Sequence, residues 1–260
     1  MSEPALARPA ATILLLRDGP SGLETFMVVR HHHIDFASGA LVFPGGRMEA
    51  ADMEMAEAAI ADRGGRGRRP RLQAADPLAP FKVAAIREAF EECGVLLARA
   101  AGADTLVPAS RAAGLDRAAP FAGLLAREKL VPALDALVPF AHWITPDFAP
   151  KRFDTHFFLA LAPPGQALAH DGREAVDSVW ISPQEALAEH GKRFKLLFPT
   201  HRNLWKLAAH AGAASALAAA RANRIVTVQP EKVIVDGGPG LRIPVEAGYG
   251  GEVFSVVGLL

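Results

Sequence analysis

The chain has 260 residues, half of them apolar, with 28 basic and 28 acidic side chains. Balanced charge leaves no global field to draw it to nucleic acid or an anionic membrane, and no run of ~20 apolar residues offers a membrane span. The one cysteine, Cys93, excludes an internal disulfide and a cysteine-based metal site, and predicts a reducing, cytoplasmic setting.

In chain order, residues 11–17 and 24–30 are β-prone runs separated by Asp18-Gly19-Pro20-Ser21-Gly22, so they predict a hairpin. Residues 40–43 form a third extended run that ends at Pro44-Gly45-Gly46. Residues 50–61 look helical, and the arginine-rich stretch 63–71 reads as a flexible loop. A helix is expected from about 81 to 93 and another at 121–129. Strands are expected at 138–144, 153–162 and 176–181. Ser182-Pro183 starts a helix with a cap residue and a first-turn proline. A last long helix is expected over about 200–220, followed by short strands with a turn at Gly237-Gly238-Pro239-Gly240. Strands on both sides of a central helix predict a layered α/β domain over 1–260. It would carry insertions at about 53–80 and 100–136 and a C-terminal extension at about 198–260.

The stretch KVAAIREAFEECGVLL, residues 82–97, holds Glu88, Glu91 and Glu92. Helical positions three and four apart share a face, so Glu88 aligns with both of the others. Glu91 and Glu92 differ by about 100°. Val83, Ile86, Phe90, Cys93 and Leu97 form a separate apolar stripe, and Gly94 stands where a left-handed helix terminator belongs. Most charge runs are solvated faces, and Arg87 is a local counter-ion. Hard divalent cations are the alternative that gives such a cluster a use, because Mg²⁺ takes carboxylate oxygens and bridges phosphates.

REAFEECGV, residues 87–95, resembles the signature of the Nudix hydrolases. Phe43-Pro44-Gly45-Gly46 resembles the approach to that signature. Asp52 stands in place of the usual glutamate, and 34 residues rather than seven separate it from Arg87, a split of 27. The resemblance implies an α/β/α sandwich with a mixed sheet and metal-dependent hydrolysis of a diphosphate linkage. It makes Glu88, Glu91 and Glu92 ligands of Mg²⁺ or Mn²⁺, with Glu88 or Glu92 as the catalytic base. Asp52 becomes the structural partner of Arg87, and Gly94 a further structural member of the motif. Gly45 and Gly46 become substrate-binding positions that permit close approach of the backbone.

Arg30, Gly39 and Phe43-Pro44-Gly45-Gly46 have the spacing of an element in coenzyme A diphosphatases, which makes Arg30 a substrate-binding candidate. His31 and Asp35 depart from that element. The split motif, Ala51-Asp52 and the stretches 141–158, 179–187 and 196–208 resemble the peroxisomal coenzyme A diphosphatase branch. The partner implied is a small nucleotide-type molecule, with a homodimer compatible. A nucleotide-sugar or dinucleoside diphosphatase shares the same motif, as does a non-catalytic ligand sensor. Further candidates are His31–His33, the arginine loop, Arg152, Asp154, Thr155, Glu174 and Asp177. Trp143 and Phe153 are candidates for stacking on a base, although strand aromatics usually belong to the core.

Overall fold

A computed structural model describes residues 5–31, 39–64, 76–170, 172 and 175–256. His32, His33, Asp35, Glu174 and most of the arginine loop lie outside them. The sheet is built on β1 (Arg8–Gly19), which runs parallel to β8 (Phe153–Leu161) from Arg8↔Phe153 to Leu16↔Leu161. β7 (Val138–Ile144) pairs antiparallel with β8, and β10 (Thr227–Val228) adds parallel to β7. On the other side of β1 lies β2 (Gly22–Arg30), whose far edge carries β9 (Ala175–Ile181).

β1 and β2 pair only from Leu16↔Thr25 to Gly19↔Gly22, and then diverge. The segment that follows fills the fork. Its first part, β3 (Leu41–Val42), pairs with β2 at Val28 and Val29. Its second part, β4 (Gly45–Arg47), pairs with β1 at Ala10–Thr12. Phe43-Pro44 crosses between them, and the Pro44 carbonyl accepts the Ile13 N–H at 2.9 Å. The extended run expected at 40–43 forms as β3, and a second short strand, β4, follows the crossing, because one segment must serve two diverging partners.

Alternation along β1 sends Ala11, Ile13 and Leu15 into one core and Leu14 and Leu16 into the other, the period-2 pattern of a sheet buried on both faces. The first core takes α1 (Ala50–Gly64), α2 (Ala79–Cys93), α3 (Ala109–Ala113) and α4 (Phe121–Glu128), with the antiparallel pair β5 (Ala98–Ala100) and β6 (Leu130–Pro132). The second takes α5 (Pro183–Ala188), α6 (Phe198–Leu207) and α7 (Ala213–Ala222). This is the mixed-sheet α/β/α sandwich expected. The Ser182 hydroxyl accepts the Glu185 N–H at 3.1 Å, capping α5 as its sequence predicts.

The helix expected at 50–61 forms and runs on to Gly64 as α1. Two local expectations are corrected. The single long helix over 200–220 is two helices. Gly212 is extended there, with φ −159°, and the Asp18 carboxylate accepts the Ala213 N–H at 2.7 Å. A carboxylate at a helix N-terminus satisfies an orphan donor and opposes the dipole, which fixes the break. The last turn lies at Asp236-Gly237, where φ is 49° and 76°, as an Asp-Gly hairpin turn requires. Gly238 instead opens β12 (Gly238–Arg242), which pairs with β11 (Glu231–Val235) and β13 (Val253–Ser255).

A buried polar chain docks the segment around Tyr249 onto β7 and α6. Trp143 Nε1–H donates to Tyr249 Oη at 3.0 Å, and Tyr249 Oη–H donates to Asn203 Oδ1 at 2.8 Å. Trp143 is thus a core residue, and stacking on a substrate base is excluded for it. Burial raises the Tyr249 pKa strongly, outweighing the Trp143 hydrogen bond, so it stays a neutral donor.

Candidate functional site

α2 lies over the fork. Its buried face carries Val83, Ile86, Phe90 and Cys93, the stripe anticipated from the 3.6-residue period except for Leu97, which follows the helix end and is buried in the same core. Gly94 ends it with φ 74°, and its N–H reaches the Phe90 carbonyl at 2.9 Å. Arg117, which precedes α4 in the chain, then covers the helix end. Its Nε donates to the Phe90 carbonyl at 3.1 Å and its Nη2 to the Glu91 carbonyl at 2.8 Å. A guanidinium on the last carbonyls complements the helix dipole. No local pattern in the sequence points to Arg117, because its partner lies in a separate element.

Arg87 is the hub of the carboxylate turn. Its Nε and Nη2 face Asp52 Oδ1 and Oδ2, both at 3.1 Å, while Nη2 also donates to the Arg47 carbonyl at 2.8 Å. Asp52 is completely buried and accepts the Glu49 N–H at 2.8 Å as well. The Asp–Arg pair anticipated across the split motif is therefore formed, bidentate as such pairs favour. Arg87 Nη1 adds bonds to Glu88 Oε1 at 2.8 Å and Glu91 Oε2 at 3.1 Å. Burial opposes its charge, but the Asp52 hydrogen bond and the charges of Glu88, Asp52 and Glu91 outweigh it, so its pKa is raised.

Three carboxylates thus share one guanidinium, and Glu92 stands one residue on. Glu92 Oε2 accepts the Gly45 N–H at 3.2 Å, which ties the helix to the fork. Burial raises the Glu91 pKa, although Arg87 pulls it down; Glu49 and Asp52 add to the rise. Glu49 is a neighbour that the sequence reading passed over. The donor set fits a hard divalent cation: carboxylate oxygens on one turn, in excess over the one arginine among them, partly removed from water. Glu88, Glu91 and Glu92 would hold it.

The two glycines act differently. A Cβ on Gly45 would collide with the Ala11 carbonyl, which belongs to the backbone of β1; one on Gly46 would strike the end of the Glu88 side chain. Gly45→Ala is accordingly expected to cost roughly 1–3 kcal/mol in urea unfolding. Gly46→Ala should keep most of that stability yet displace Glu88, lowering kcat by about 10²-fold. Equal behaviour of the two variants would contradict this division.

The remaining candidates separate. Arg30 ends β2, and its Nε is buried with no hydrogen-bond partner among the described residues, as a contact awaiting an anion would be. Arg152 is instead a loop staple, donating to the carbonyls of Thr145 at 3.0 Å and Ala5 at 2.7 Å and pairing with Asp147. Asp177 is exposed on β9, on the edge of β2 opposite the fork, and accepts the Ser178 N–H at 2.8 Å. Thr155 and Phe153 sit half-buried on β8, with Thr155 opposite Trp143. Asp154 binds His142 rather than any group of α2.

Two half-buried histidines are expected to make the fold acid-sensitive. Burial, with help from Arg202 and His190, lowers the His201 pKa from 6.5 to about 4. Burial and His142 do the same to His156, although Asp154 pulls the other way. Between these values the unfolded chain binds more protons than the folded one, so stability falls as pH drops from 6.5 toward 4. The melting temperature is expected to fall across that window, with a shallower slope in His201→Asn. An unchanged slope in that variant would remove His201 from the account.

Comparison with known proteins bears on this geometry. The family model described as the NUDT19 Nudix domain matches residues 68–200, slightly more than half the chain. That stretch contains α2 and its carboxylates, whereas Asp52 and the Gly45-Gly46 fork precede it. The acyl-coenzyme A diphosphatase NUDT19 of Gallus gallus is 30% identical over 223 residues, covering 68% of this chain and 57% of that protein. The Homo sapiens protein of the same name is 30% identical over 226 residues, covering 71% and 59%. The chain therefore spans less than two thirds of the length of these relatives. A crystal structure of a NUDIX hydrolase from Alicyclobacillus acidocaldarius superposes with a TM-score of 0.64 at 29% identity, covering 82% of this chain and 96% of that one.

Proposed function

Because the chain belongs to the Nudix family, in the branch described as the NUDT19 Nudix domain, we propose that it hydrolyses the diphosphate linkage of coenzyme A or an acyl-coenzyme A. The observation that carries this reading is the carboxylate turn of α2 held against Gly45-Gly46 by Arg87 and the Glu92–Gly45 bond. The chain's acyl-coenzyme A diphosphatase relatives suggest the substrate class.

A bound Mg²⁺ or Mn²⁺ would neutralise diphosphate charge and lower the pKa of an attacking water. The chain's own groups do the rest. Arg87 and Asp52 fix the turn, Arg117 holds its C-terminal end, and Gly46 leaves space for the Glu88 carboxylate. Glu88 or Glu92 takes the proton of the attacking water as general base. Arg30, whose Nε at the end of β2 has no partner among the described residues, contacts a substrate phosphate.

Incubation with coenzyme A, an acyl-coenzyme A, ADP-ribose, NADH and diadenosine polyphosphates in Mg²⁺, with products identified by mass, tests the proposal. Coenzyme A is expected to give 3′,5′-ADP and a phosphopantetheine. Turnover of the other substrates without coenzyme A would overturn the assigned class. Ligand binding without turnover of any would overturn the enzyme reading.

A further inference from the structure

A second set of side chains with metal-ligand chemistry lies on the same sheet face, apart from the carboxylate turn. His142 and His156 are directly opposed in the antiparallel β7–β8 pair. Asp154 precedes His156 by two residues on β8, so alternation places it on the same face. A cross-strand histidine pair plus an i, i+2 carboxylate makes a triangle. One ligand atom from each lies within 4.8 Å of the others. His142 Nε2 faces Asp154 Oδ1 at 2.5 Å, and the side chains of the two are 15% and 35% exposed, so the triangle is sheltered yet reachable.

Two further observations fit a ligand set rather than an ion pair alone. His142 Nδ1 is engaged by the Thr227 hydroxyl of β10 at 2.8 Å. Metal-binding histidines are commonly oriented in this way, through the ring nitrogen turned away from the ion. His156 is held by rings: His142 stacks on it at 4.0 Å, and Phe81 of α2 lies at 4.4 Å. Two coordination bonds of about 2.0–2.2 Å set ligand atoms at most about 4.4 Å apart, close to the 4.8 Å within which the three lie here.

We propose that His142, Asp154 and His156 form a binding site for a zinc-class divalent cation. Two imidazoles and one carboxylate suit Zn²⁺, Co²⁺ or Ni²⁺ and disfavour Mg²⁺, which prefers oxygen. The ion would join β7 to β8 and, through Thr227, brace β10. The site is distinct from the carboxylate turn. Gly46, Ala11, His156 and His142 form one row across β4, β1, β8 and β7, so His156 stands two strand spacings, about 10 Å, from Gly46.

The test is a Zn²⁺ titration by calorimetry of the whole chain in excess Mg²⁺, with anomalous diffraction at the zinc edge from crystals soaked in Zn²⁺. One equivalent should bind, with the peak among His142, Asp154 and His156. His156→Gln should weaken binding by about 100-fold and Thr227→Val by about tenfold, while Glu92→Gln leaves it unchanged. Absence of binding, a peak elsewhere, or Zn²⁺ binding that depends on Glu92 would overturn the proposal. The diffraction result decides even where a variant fails to fold. None of these readouts depends on coenzyme A turnover, so this site and the proposed activity stand or fall separately.

Discussion

Glu92→Gln is expected to lower Mg²⁺-dependent kcat for coenzyme A hydrolysis by about 10²–10⁴-fold while leaving the melting temperature close to that of the parent. The glutamine carbonyl can still accept the Gly45 N–H that Glu92 Oε2 now accepts at 3.2 Å, so the helix stays tied to the fork. What disappears is the negative charge, and with it a cation ligand and a candidate base. Glu88→Gln should resemble it in rate, but it also weakens the 2.8 Å contact with Arg87, so a loss of stability should accompany the loss of rate. Stopped-flow or steady-state rates across a Mg²⁺ series separate the two effects. A defect that excess Mg²⁺ repairs belongs to binding of the ion, and one that persists belongs to proton transfer. Parent-like turnover by Glu92→Gln would remove that residue from the chemistry.

Arg87→Met carries the largest expected effect on stability. Arg87 and Asp52 are almost wholly buried, and removing one member of such a pair leaves an uncompensated charge inside, at a cost of about 3–5 kcal/mol. Here the loss also strips Glu88 and Glu91 of their shared counter-ion. The double variant Asp52→Asn/Arg87→Met should recover part of that loss, because the buried charge goes with its partner. Urea unfolding of the two variants measures the difference. A loss below about 1 kcal/mol for Arg87→Met would mean that the pair is dispensable to the fold.

Much of this was legible in the residues. The apolar stripe of α2 and the left-handed Gly94 follow from helical period and backbone freedom. The likeness of 87–95 and 43–46 to Nudix hydrolases placed Asp52 beside Arg87 across the split motif, and the hydrogen bonds agree. Long-range geometry was not legible. The wedge of 40–47 between diverging strands depends on where β1 and β2 part, which no local pattern encodes. Arg117 reaches α2 from another element, and Asp18 splits the alanine-rich helix from nearly two hundred residues away. The His142–Asp154–His156 triangle needs the β7–β8 register, and a one-residue slip would put the partners on opposite faces. The orientation of Arg152 was likewise not legible: its guanidinium turns back to the loop at Thr145 and Asp147.

The most direct measurement is anomalous diffraction from a crystal soaked in Mn²⁺. A manganese peak within coordination distance of carboxylate oxygens from Glu88, Glu91 and Glu92, beside Gly46, is what the account requires. A map with no peak at that turn, or with manganese only at the histidines of β7 and β8 while Arg87 keeps both of its glutamates, would contradict it.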